Sequence, residues 1–187
     1  RRPRVLVAPL DWGLGHATRC IPLIHALMDK SIEVHLAGAG DSIHFLSRAF
    51  PSLPVHGLHA YRPRYLRSSA MLTALFLQLP KFLKVIRQEH RVVDELVEAH
   101  QLDAVISDNR YGCWSKSARS VFISHQLSPK LPVGLRWMEP LVQRVHASFI
   151  NRFDMCWVPD ESDRSLSGDL SVNRWISAQC IGSLSRF

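Results

Sequence analysis

The sequence predicts an α/β fold: a doubly wound, mostly parallel sheet of Rossmann-like type. Three observations carry that prediction. Short runs such as "RVLVAP", "LDAVISD" and "SVFISH" are apolar throughout instead of alternating, as strands covered on both faces are. Segments with helical spacing of apolar residues lie between them. Glycine, proline and aspartate punctuate the joints.

The elements follow in order. Arg4 to Pro9 reads as the first strand. A glycine turn leads into "ATRCIPLIHALMDK", a helix with Ile21, Ile24, Leu27 and Met28 at helical spacing and Pro22 expected in its first turns. Ile32 to Gly40 is a second strand closed by glycines, and Asp41 or Ser42 caps a helix that Pro51 stops. "VHGLHAY" gives a weak third strand. Ser68 to Ala99 is helical with an interruption expected at Pro80. Leu102 to Asp108 and Ser120 to His125 are two further buried strands. A helix over about Gly134 to Arg152 places Leu135, Met138, Val142, Val145 and Phe149 on one stripe. Asp154 to Asp160 is the next strand, and "ISAQCIGSLSRF" trails out extended.

Composition narrows the function classes. With 187 residues, 47% hydrophobic and 21% charged, the chain is long enough for one domain with a sizeable core. No apolar run is long enough to cross a membrane, and the run after "RRPR" is too short for a signal peptide. The four cysteines, Cys20, Cys113, Cys156 and Cys180, form no CxxC pair. Zinc and redox motifs are therefore unsupported, and the reducing cytosol is the expected compartment. The net charge of +7 implies acidic partners: nucleic acid, anionic lipid or phosphorylated small molecules.

In open α/β sheets ligands bind beyond the carboxyl ends of the strands. That rule directs attention to "PLDWGLGHATR", after the first strand. The dinucleotide fingerprint requires a third glycine, but Thr18 stands there, and no acidic residue closes the second strand before Asp41. Gly13, Leu14 and Gly15 still form a turn whose backbone N–H groups can approach an anion at a helix N-terminus. His16 either caps that turn or serves as a base. Asp108 ends a neighbouring strand and can accept a hydrogen bond from His16, fixing its tautomer. Arg19, one helical turn on, either meets phosphate or acceptor or lies on the surface. Asn109, Arg110 and Tyr111 line a cleft or form an ordinary turn, and His125 and Gln126 end another strand.

"VLVAPLDWGLGHATRCIPLIHAL", "DAVISDNRYG" and "VFISHQL" together resemble the N-terminal half of a GT-B glycosyltransferase. The nearest group is the bacterial one related to the N-acetylglucosaminyl transferase of peptidoglycan lipid intermediates. The resemblance covers essentially the whole chain, and the glycine–histidine loop is its most specific part. It implies that His16 is the general base and that Asp108 orients it, as an aspartate does in the plant small-molecule enzymes. It also implies inverting transfer from a nucleotide-sugar, a UDP-sugar, to an acceptor hydroxyl, with no metal and no separate cofactor. The peptidoglycan enzyme has a richer glycine loop and no counterpart of "SDNRYG", so the acceptor does not carry over.

The same resemblance makes residues 1–180 an acceptor-binding domain and residues 181–187 the start of a linker to a second, nucleotide-sugar domain. By itself such a half is expected to be inactive. A nucleotide-sugar epimerase of the same architecture is the alternative enzyme class. A basic binding module is the non-enzymatic one, although no recognisable nucleic-acid motif interleaves aromatics with the basic residues. Tyr61 to Arg91 carries seven Arg or Lys against one Glu and many apolar residues. It reads either as a core-facing stripe with a solvated basic face, or as a peripheral contact with an anionic membrane that receives a lipid-linked acceptor on the inner face. "DESD", Asp160 to Asp163, reads as a solvated loop, not a metal site, and the other eight histidines as structural or exposed.

Overall fold

The computed structural model describes residues 1–61, 71–161 and 168–184, with the side chains of 71–77 and 169 left aside. Among the described residues seven strands form one sheet: β1 (Arg4–Pro9), β2 (Glu33–Gly38), β3 (Val55–Gly57), β4 (Ala104–Asp108), β5 (Arg119–Ile123), β6 (Met155–Val158) and β7 (Ala178–Cys180). Their order is β3-β2-β1-β4-β5-β6-β7, and every pairing is parallel. The chain winds outward in one direction from β1 and in the other from β4, so the switch point lies between them. There Pro9 stands in register with Asp108.

Successive side chains of β1 serve opposite faces, as strand geometry requires. Val5 and Val7 pack with Ile24, Leu36 and Leu46 beneath α1 (Leu14–Asp29) and α2 (Gly40–Ala49). Leu6 and Ala8 pack with Val93, Val97 and Val105 beneath α3 (Met71–His100). α4 (Glu139–Ile150) seals Phe122 and Val158 with Ala147 and Ile150. The fully apolar strand runs are thus explained by helices on both faces.

Four local expectations are corrected. Helix α1 starts at Leu14, so Pro22 lies in mid-helix and withholds the N–H that would bond the Thr18 carbonyl. Helix α3 likewise passes through Pro80 without ending. The helical segment after β5 opens with a 3₁₀ turn (Val133–Met138), and the face that α4 buries carries Ala147 and Ile150. Val145 of the expected stripe is 50% exposed, alongside Val133, Trp137 and Leu141. Lastly, the expected trailing end contributes β7, which pairs with β6 from Cys156↔Ala178 to Val158↔Cys180.

Candidate functional site

The loop after β1 is held from three sides. The Leu10 N–H donates to the Asp108 carbonyl at 2.9 Å, joining it to the end of β4. The buried Ser42 hydroxyl lies 3.0 Å from the Leu10 carbonyl and 2.9 Å from that of Gly13. The Tyr61 N–H donates to Asp11 Oδ2 at 3.1 Å. Gly13 has φ +82°, which an L side chain rarely adopts, so glycine is required there by conformation. A Cβ on Gly15 would meet nothing within 4 Å, so the space above the turn is open. Leu14 is 47% exposed beside it.

His16 falls in the first turn of α1, and among the described residues its side chain bonds Asp108 and Arg19, not backbone. Its Nδ1 lies 3.1 Å from Oδ2 of Asp108, whose side chain is only 1% exposed at the end of β4. The two strand ends therefore bring together the pair expected from the sequence. Arg19 completes the group and is not a surface arginine. Its Nε donates to Asp108 Oδ2 at 3.1 Å and its Nη2 donates to Oδ1. The same Nη2 lies 2.8 Å from His16 Nδ1, and Nη1 lies 3.1 Å from His125 Nδ1. Burial pulls the His125 pKa below its ordinary value, and the Arg19 and His16 charges act in the same direction against Asp108. Burial, with the Asp108 charge added, pushes the Cys20 thiol well up; its Sγ lies 4.0 Å from Asp108 Oδ2.

The residues after Asp108 divide. Asn109 takes φ +60° and its N–H donates to the Ile123 carbonyl, a turn role at the rim. Arg110 does not line a cleft: its side chain is 0% exposed. Nε donates to Glu89 Oε1 at 2.6 Å, and the other nitrogens donate to the Pro9 and His59 carbonyls at 3.3 and 2.6 Å. Tyr111 is turned inward as well, its hydroxyl 2.7 Å from His146 Nε2 and its ring against Phe122 and Phe149. Gln126 is exposed, with its N–H donating to Ser124 Oγ at 3.0 Å.

Two structural residues escape the sequence reading. Glu89 is fully buried and also accepts from the Tyr61 hydroxyl at 2.8 Å and the Gly112 N–H at 2.9 Å. Its signal was a lone carboxylate at helical spacing between Val85 and Val93, both in the core. Gly112 lets α3 approach: a Cβ there would stand 2.4 Å from the Ile86 carbonyl oxygen. Asp160 is buried, not solvated, while Asp163 lies outside the described residues. Among the described residues no group of His, Cys, Asp or Glu has the arrangement to hold a metal ion.

Fold and switch point define the chain as a Rossmann-like domain with the architecture of the N-terminal half of GT-B glycosyltransferases. It is similar to CalG4, the calicheamicin glycosyltransferase, at TM-score 0.62 and 12% identity, covering 98% of this chain and 53% of that one. MurG of Acinetobacter baumannii aligns at TM-score 0.52 and 11% identity, covering 96% of this chain and 44% of that one. A UDP-N-acetylglucosamine 2-epimerase aligns at TM-score 0.51 and 13% identity, covering 91% and 44%. This chain thus spans about half the length of these structures. No protein-family model and no curated protein matches the sequence.

Proposed function

We propose that the chain is the acceptor-side half of an inverting glycosyltransferase that moves a sugar from a UDP-sugar to an acceptor hydroxyl. The observation that carries this reading is the His16–Asp108 pair at 3.1 Å, set across the switch point where such sheets bind ligands. His16 Nε2, which has no hydrogen bond among the described residues, takes the acceptor proton as that oxygen attacks the anomeric carbon. Asp108 steadies the imidazolium. The backbone at Gly13–Gly15 and the start of α1 favour the leaving diphosphate. Leu14 offers apolar surface to the acceptor, and Asn109, His125 and Gln126 stand at the rim. Arg110 and Tyr111 support these loops from beneath.

A second α/β domain, following residues 181–187, supplies the remainder of the nucleotide-sugar site in this reading. The acceptor reaches the site from the inner face of a membrane if it is lipid-linked. The exposed Leu79 and Leu83 on α3, beside Lys81 and Lys84, are the described part of the surface that would meet it. The test is turnover by the protein extended with that second domain, supplied with UDP-sugars and candidate acceptors. UDP release that depends on the acceptor, with inverted anomeric configuration in the product, is the expected result. Sugar epimerisation without acceptor would overturn it in favour of the epimerase reading.

A further inference from the structure

The guanidinium of Arg19 touches Asp108, His16 and His125, and its position decides a question of proton placement. His16 Nδ1 has one in-plane position, filled either by a hydrogen to donate or by a lone pair to accept. Two neighbours make opposite demands on it. Asp108 Oδ2 at 3.1 Å calls for Nδ1–H, whereas Arg19 Nη2 at 2.8 Å calls for a lone pair.

The demands are unequal. A guanidinium in a protein does not surrender its protons, so Nη2 at that distance can only donate. An Nδ1–H facing it would set two donors against each other. The Asp108 carboxylate, by contrast, is already served by Arg19 Nε and Nη2 and does not depend on His16. A second imidazole gives the same answer. His125 Nδ1 lies 3.1 Å from Nη1 of the same guanidinium, and burial together with the Arg19 charge favours its neutral, accepting form.

We infer that Arg19 is a positioning residue that holds His16 with its proton on Nε2, withholding the base until the guanidinium leaves Nδ1. The inference rests on the transferase reading, in which Nε2 must be free of a proton to accept one. Withdrawal of Nη2 allows one proton to leave Nε2 and another to bind Nδ1 through solvent, with no net change in charge. Nδ1–H then donates to Asp108, and Nε2 presents its lone pair outward. Arg19 thereby separates two states of the same pair: a latched one, as seen here, and an armed one.

Histidine-selective 15N labelling of this chain, read by long-range proton–nitrogen correlation well above the histidine titration range, tests the assignment. His16→Gln identifies the resonances. In the wild type, Nδ1 is expected at the unprotonated position and Nε2 at the protonated one. Arg19→Ala is expected to exchange the two, as Nδ1–H turns to Asp108. A wild-type spectrum with Nδ1 protonated would overturn the inference, as would a folded Arg19→Ala protein that keeps the wild-type pattern. Should that variant fail to fold, the wild-type spectrum alone decides. Neither readout involves sugar transfer, so the tautomer assignment and the transferase reading can fail separately.

Discussion

Replacing Arg110 by Met probes the support beneath the site without touching His16 or Asp108. The wild-type guanidinium is fully buried, donates to Glu89 at 2.6 Å, and serves the Pro9 and His59 carbonyls, which end β1 and open the segment before Tyr61. Met fills much of the volume but leaves Glu89 buried without its cationic partner, served by neutral donors such as the Tyr61 hydroxyl and the Gly112 N–H. Breaking a buried ion pair from one side costs about 3–5 kcal/mol, because an uncompensated charge stays behind. Typical domains have only about 5–15 kcal/mol in all. For a chain of this size the loss corresponds to a fall in Tm on the order of 10 °C. Urea titration and thermal melting followed by circular dichroism measure both. The Arg110→Met/Glu89→Leu double variant, lacking both charges, should be less destabilised than the sum of the two single variants. A single-variant loss below about 1 kcal/mol would refute the reasoning, because it would mean the pair is solvated or replaceable.

Two further outcomes are expected. His35, His56 and His100 meet at the β3 edge with ring centroids 4.7–5.3 Å apart, facing Glu33, which Arg4 in turn pairs at 2.9 Å. Burial lowers the pKa of His35 and His56; beyond burial, the His100 charge lowers both, and Glu33 partly restores His35. The folded state therefore binds fewer protons than the unfolded one, whose histidines titrate near about 6.5. Stability is complete above that value and falls as the pH drops below it. The urea midpoint should be lower at about pH 5.5 than at about pH 7.5, and His56→Gln should reduce the difference. An unchanged difference would remove the cluster as its cause. At the membrane-facing surface proposed for α3, co-sedimentation with anionic vesicles at low salt should weaken in Leu79→Ser/Leu83→Ser. Absence of wild-type binding would sink that surface.

The parts of the fold legible in the sequence were those fixed by local pattern. Apolar runs at Arg4–Pro9 and Ala104–Asp108 announce strands covered on both faces, and a parallel βαβ order makes their ends neighbours. That was enough to pair His16 with Asp108. What escaped depends on contacts remote in sequence. Arg19 and Arg110 look alike as letters, yet one joins the polar site and the other is a fully buried strut, because their partners lie 89 and 21 residues away. After β5 the expected stripe of Leu135, Met138, Val142, Val145 and Phe149 departs from the structure at Val145, which is exposed with Val133, Trp137 and Leu141 on a second row of apolar residues four apart. Pro22 is expected in the first turns of α1 and Pro80 as an interruption of α3, whereas both lie inside continuous helices.

The central claim is that His16 removes the acceptor proton. Its most direct test is His16→Ala in the protein extended by the proposed second domain, with sugar transfer and nucleotide-sugar binding measured on the same sample. The account predicts that transfer falls by at least the factor of about 10²–10⁴ that a positioned general base contributes, while donor affinity stays near wild type. Transfer at the wild-type rate in a variant that still binds donor would contradict it.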